Sequence, residues 1–154
     1  MKKEMDIDDI IWINVNMDWM RSVIYEYNKA GKSLGMEYLS MGSLRYDDKY
    51  FVGYIFDVTD PVSPIDLVTY IQYETHMNKL VVSYIEVAEQ YRGNGIANKT
   101  INEFFASLKD YADNSAVEVV VTNISPDGKK ANLMQKLQQH VQGEIVETGK
   151  RNII

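Results

Sequence analysis

Cysteine is absent from this chain of 154 residues. That excludes disulfides, thiolate nucleophiles and cysteine zinc sites, and it suits a reducing compartment. Two histidines, His76 and His140, are all the imidazole the chain has, and without cysteine they form no metal-site pattern. No apolar run approaches the roughly 20 residues that span a bilayer, so no membrane helix is expected. Basic residues are also in deficit: 16 Lys and Arg against 22 Asp and Glu give a net charge of -6. Phosphate neutralisation needs a basic surface, which argues against nucleic acid as a partner, whereas an acidic surface favours cationic ligands such as amines. "DIDD" (Asp6 to Asp9) lacks the glycine and the spaced glutamate of a calcium loop and reads as a solvated charge run. In "MKKEMDIDDI" acidic residues stand where a secretory signal needs an apolar segment, so a soluble cytoplasmic protein is expected.

Hydrophobic residues make up 45% of the chain and charged residues 25%, the composition of one globular domain over residues 1–154. Ile10 to Val15 is apolar and β-branched and predicts a strand. From Met17 the apolar positions Met17, Met20, Ile24 and Tyr27 recur at helical spacing, with Asn16 or Asp18 to cap the start and Gly31 or Gly35 to end it. Gly35 to Asp48 has room for a short second helix. Tyr50 to Val58, Leu67 to Thr75 and Leu80 to Val87 read as three strands. "TDPVSPID" is a proline-marked loop before the second, and His76 to Lys79 is a tight turn before the third. Connections this short imply antiparallel pairing.

Beyond Ile96 the period changes. Ile96, Ala97, Thr100, Ile101, Phe104, Phe105 and Leu108 form one stripe of a helix that stops near "ADNS". Ala116 to Thr122 predicts a buried strand parallel to Leu80–Val87. "SPD" then opens a last helix, capped by Ser125 or Asp127, with Ala131, Met134, Leu137 and Val141 on its apolar face. "GEIVETGKRNII" predicts a short closing hairpin. The fold class is mixed α/β, with helices covering a central sheet.

"QYRGNG" (Gln90 to Gly95) joins the third meander strand to this helix. Gly93 and Gly95 permit positive φ and close approach of a ligand to the backbone. The helix start adds N–H donors and a positive dipole end, a combination suited to phosphate or pyrophosphate, and Arg92 and Lys99 can add charge. The P-loop pattern G-x-x-x-x-G-K-[ST] is absent. A dinucleotide fingerprint needs a small residue where Asn98 stands, and it opens a first βαβ unit rather than following hairpins.

The segment resembles the acetyl-CoA signature Q/R-x-x-G-x-G/A of the GNAT superfamily of N-acetyltransferases, and the element order agrees over most of the chain. The resemblance implies a largely antiparallel sheet with a splayed parallel strand pair, flanked by helices. It implies acetyl-CoA as co-substrate and no metal. Pantetheine would be held by the backbone of Ile85 and Val87, and the pyrophosphate by Gln90, Arg92, Gly93, Asn94, Gly95, Ile96 and Ala97. The implied reaction is direct attack of a primary amine, on a small molecule or a protein, in a ternary complex; a homodimer is compatible with it.

Departures fall in the last helix. Family members carry a tyrosine there that protonates the leaving sulfur; aligning "SPDGKKANLMQKLQQHV" on Ala131 places Gln135, or Met134 with a one-residue shift, at that position. Gly128 stands where an asparagine is usual, and the following Gly-Phe pair is missing. Glu86 and Glu74 are the candidate general bases, with solvent-facing or cross-strand roles as the plain alternative for both, and Glu118 is similar. A non-catalytic acyl-CoA-binding or interaction module on the same fold is the competing function.

Overall fold

The computed structural model describes residues 6–56, 65–76, 79–108, 118–121, 133–139 and 145–147. The first strand, β1 (Ile11–Val15), runs straight into helix α1 (Met17–Lys29). Asn16 caps that helix, its Oδ1 accepting the Trp19 N–H at 3.0 Å. Met20, Val23, Ile24 and Tyr27 form the buried stripe, at the i, i+3, i+4, i+7 spacing of a helix face. At the C-terminus the Gly31 N–H bonds to Asn28 C=O and the Lys32 N–H to Tyr27 C=O, with Gly31 at φ +67°. These are the paired bonds of a Schellman cap.

Strands β2 (Lys49–Phe56), β3 (Ile65–His76) and β4 (Lys79–Val87) extend β1 into an antiparallel meander. His76 pairs with Lys79, so it ends β3 instead of sitting in the turn expected there. Ile65 and Asp66, assigned from sequence to the proline-marked loop, already belong to β3; residues 57–64 lie outside the described set. Between α1 and β2 the expected second helix is reduced to one 3-10 turn, Met41–Ser43. Gly42 lies inside that turn, and Gly35 takes φ +69°, which no helix contains.

Helix α2 (Ile96–Leu108) leads to β5 (Glu118–Val121), which pairs parallel with β4 as expected. After α3 (Leu133–Gln138), β6 (Ile145–Glu147) pairs parallel with β5. The intervening helix supplies the crossover that a parallel neighbour requires; the second arm of the expected closing hairpin, from residue 148 on, lies outside the described residues. The order is β1-β2-β3-β4-β5-β6 in one sheet. The proposed caps Ser125 and Asp127, the "ADNS" stop, Gly128, Ala131, His140 and Val141 lie outside the described residues, as do the side chains of Glu118 and Met134.

Period-two alternation distributes the aromatic strands between two cores. On one face Tyr50, Val52, Leu67 and Tyr70 pack under Met20, Ile24 and Tyr27 of α1. On the other, Phe51, Ile71, Tyr73, Leu80 and Val82 pack under Ile101, Phe104 and Phe105 of α2, with Leu137 of α3. Each fully buried Leu, Ile or Phe side chain contributes roughly 1.5–3 kcal/mol.

Candidate functional site

β4 pairs with β5 over Lys79–Val82. Among the described residues no strand continues that edge from Ser83 to Val87. The direction of the backbone there follows from the ladder to β3. The Ala88 N–H bonds to Val68 C=O at 2.8 Å, and the register pairs Val87 with Thr69, Glu86 with Tyr70 and Ile85 with Ile71. Antiparallel pairs alternate between bonded and non-bonded. Glu86 therefore bonds across to β3, while Ile85 and Val87 turn their N–H and C=O groups to the opposite edge, the one that β5 covers over Lys79–Val82. The Val87 carbonyl already accepts from Arg92 Nε at 3.0 Å. A one-residue bulge marks the same level of the strand: Gln72 pairs with Tyr84 and Tyr73 with Val82, which leaves Ser83 as the extra residue.

The edge leads into a 3-10 turn, Glu89–Tyr91, and then into the glycines. Gly93 has φ +86° and Gly95 φ +73°, so both occupy backbone space that L side chains rarely enter. A Cβ built on Gly95 meets nothing within 4 Å. The Lys99 N–H bonds to the Gly95 carbonyl at 3.2 Å, which makes Gly95 the first acceptor of α2. The N–H groups of Ile96 and Ala97 begin the helix without intrahelical acceptors, at its positive dipole end. Asn94 braces the turn by donating from Nδ2 to Tyr91 C=O at 3.0 Å. Gln90 lies against Gly35, whose carbonyl accepts the Glu89 N–H at 2.8 Å. Lys99 pairs with Glu103 at 3.0 Å along the helix surface. An extended acyl-pantetheine arm ending in a pyrophosphate fits this combination: a strand edge without a neighbour among the described residues, bare backbone with open space over it, and a helix start.

The two candidate bases have different surroundings. Glu86 is buried, and its carboxylate accepts from the Glu37 N–H at 2.8 Å, the Tyr38 N–H at 2.9 Å and the Tyr70 hydroxyl. Burial, and then the Glu86 carboxylate beside it, holds the Tyr70 hydroxyl well above the ordinary tyrosine range, so Tyr70 is a donor and stays neutral. Glu74 is half-buried and pairs across the ladder with Val81, next to the last β4 residue that β5 covers. Glu74 lies four positions past Tyr70 on β3, so the carboxylates of Glu86 and Glu74 belong to places about 13 Å apart along the strands.

Sequence reasoning missed the residues that hold the site together. Asp66, 1% exposed, accepts from the hydroxyls of Tyr27 (3.0 Å) and Tyr91, and Lys32 Nζ lies 3.6 Å from its Oδ1. Tyr38 was equally unmarked, because a tyrosine in a loop carries no signal of the carboxylate that its backbone N–H will meet. An aspartate between Ile65 and Leu67 was the one usable hint. On α3, Gln135 is exposed and Leu137 buried. Among the described residues no group of three or more His, Cys, Asp or Glu side chains is arranged to hold a metal ion, and no helix is long and apolar enough to cross a membrane.

No protein-family model matches the chain, and no curated protein matches it significantly. Solved structures do match in shape. A ribosomal-protein-alanine N-acetyltransferase from Brucella melitensis biovar Abortus is 13% identical, with a TM-score of 0.50 over 79% of this chain and 87% of that one. Arabidopsis thaliana NAA60 in complex with acetyl-CoA is 14% identical, with a TM-score of 0.53 over 84% and 83%. An aminoglycoside acetyltransferase from an uncultured soil metagenomic sample, in complex with sisomicin, is 10% identical, with a TM-score of 0.53 over 92% and 95%. The fold of this chain is that of the GNAT N-acetyltransferases.

Proposed function

We propose that the chain transfers an acetyl group from acetyl-CoA to a primary amine of a small molecule or protein. The observation that carries this reading is the β4 edge beyond Val82, whose outward backbone at Ile85 and Val87 leads to the positive-φ turn at the head of α2. Ile85 and Val87 hold the pantetheine arm. Arg92, Gly93, Asn94, Gly95, Ile96 and Ala97 surround the pyrophosphate, and Gln90 sets the turn against Gly35. The similar folds of proteins whose structures contain acetyl-CoA or an aminoglycoside support the donor and an amine acceptor. The amine nitrogen attacks the thioester carbonyl carbon, the C–S bond breaks, and coenzyme A leaves as a thiolate. The amine's proton passes to a base. Glu74 takes that role in this proposal, as a half-buried carboxylate opposite Val81, one residue before the last described β4–β5 pair.

A non-catalytic acyl-CoA-binding module is the second reading, favoured by the exposed Gln135 where a tyrosine would protonate the sulfur. Two measurements separate the outcomes. A ligand specific for the folded state at about 100 times its Kd adds roughly 2.7 kcal/mol of stability, so acetyl-CoA raises the Tm and NAD does not. Coenzyme A release with a panel of primary amines then distinguishes transfer from binding. No Tm shift at millimolar acetyl-CoA overturns both readings.

A further inference from the structure

The segment between α1 and β2 is almost without regular structure, yet it is bonded to the sheet at successive points. Gly35 C=O accepts from the Glu89 N–H. The Glu37 and Tyr38 N–H groups donate to the two oxygens of Glu86. Farther on, Gln72 Nε2 donates to Ser43 C=O at 3.2 Å and to Asp48 Oδ2. Glu86 is the middle attachment, and its side chain is buried. The bonds have one evident consequence for a side chain: the Tyr38 ring is stacked on Tyr84, with centroids 5.3 Å apart and planes 19° from parallel. Tyr84 shares a face of β4 with Glu86 and stands just past Val82, the last β4 residue paired with β5 among the described residues. Both rings are half-buried and keep part of their surface open.

We propose that Glu86 is a positioning residue. It fixes the backbone of Glu37 and Tyr38 so that Tyr38 and Tyr84 form an aromatic wall beside the β4 edge beyond Val82, and this wall selects the non-reacting part of the amine acceptor. The proposal rests on the acetyl-transfer reading above. An ammonium or other cationic group on the acceptor is attracted to such ring faces, in keeping with the chain's negative charge.

The test uses the full chain and the variants Glu86→Gln and Tyr38→Ala. Glu86→Gln replaces one acceptor oxygen by a donor, so the Glu37 and Tyr38 amides exchange with deuterium at least about tenfold faster than in the wild type. The acceptor KM, measured with the best amine of the panel, rises about tenfold or more in both variants. The pH profile of kcat keeps its shape, and the acetyl-CoA Tm shift persists. Loss of the neutral-pH limb of kcat in Glu86→Gln overturns the proposal in favour of a base; so does an unchanged KM or unchanged amide exchange. If Glu86→Gln does not fold, the KM of Tyr38→Ala decides alone. An absent acetyl-CoA shift in the wild type overturns the transferase reading and the wall with it. A normal shift with unchanged KM in both variants overturns the wall alone.

Discussion

Tyr91, inside the glycine signature, donates its hydroxyl hydrogen bond to the buried Asp66 carboxylate at the head of β3. Asp66 also takes the Tyr27 hydroxyl from α1, and that same hydroxyl accepts the Leu67 N–H at 2.7 Å. The turn that would face a pyrophosphate is thus tied through one carboxylate to the first helix and the central sheet. Tyr91→Phe removes a donor from a charge that cannot reach water, a loss worth about 1–3 kcal/mol. At this size each kcal/mol lowers the Tm by about 2–4 °C. We expect that drop in calorimetry, together with a smaller acetyl-CoA shift. An unchanged Tm would mean that the Asp66 network does not contribute to stability.

Glycines 35 and 95 separate two kinds of constraint. Both have positive φ, so any side chain costs about 1–2 kcal/mol of backbone strain. At Gly95 that is the whole cost, since a Cβ meets nothing within 4 Å; at Gly35 it comes 2.2 Å from Gln90 Oε1 and 3.1 Å from the Glu89 nitrogen. Gly35→Ala should therefore lower the Tm more than Gly95→Ala. Gly95→Val should fold and yet lose the acetyl-CoA shift, because the new side chain fills the space over the turn. Equal acetyl-CoA shifts in wild type and Gly95→Val would remove the pyrophosphate from this turn.

The contrast between these residues explains what the sequence made legible. Period and punctuation placed β1, α1, the meander and α2, since each buries a patterned face, and an apolar β-branched run placed β5. The antiparallel-then-parallel order followed from connection lengths. Long-range polar partners have no such local mark. Glu86 meets Glu37 and Tyr38 across about fifty residues, and Asp66 meets Tyr27 across 39. From sequence a strand glutamate reads equally as a base, a surface residue or a tie for a distant loop. The same holds for Ile145–Glu147, whose parallel partner in β5 no local pattern specifies.

Tyr70 gives the fold a pH dependence whose sign is fixed. Its hydroxyl is held well above the ordinary tyrosine value by burial first and by Glu86 second. The unfolded chain ionises near pH 10 while the native chain keeps the proton, so the native state binds more protons above that pH. This contribution is intact below pH 10 and is lost as pH rises through and beyond it. The loss proceeds at up to about 1.4 kcal/mol per pH unit. Tyr70→Phe should be less stable at neutral pH, leaving Glu86 one donor short, but should fall less steeply between pH 10 and 11 in denaturant titrations. Parallel curves for the two proteins would assign the alkaline loss to other groups.

The remaining prediction concerns the proton of the acceptor. A lysine-like amine has a pKa near 10.4, so at pH 7 roughly one molecule in 2,500 carries the free lone pair that attack requires. The leaving group is the lesser difficulty: a thiol with pKa near 8.5 departs as thiolate without full protonation, so the exposed Gln135 on α3 is not disabling. A base for the ammonium is worth more, typically about 10²–10⁴-fold. If Glu74 supplies it, wild-type kcat changes little from pH 6 to 9.5. Glu74→Gln should then lower kcat at pH 7 by about 10²–10⁴-fold and turn the plateau into a climb with pH, closing on the wild-type rate as the free amine becomes plentiful. The binding of acetyl-CoA should not change, since Glu74 lies on the strand pair remote from the glycine turn. Profiles that run parallel for wild type and Glu74→Gln would hand the proton to water and leave both strand glutamates outside the chemistry.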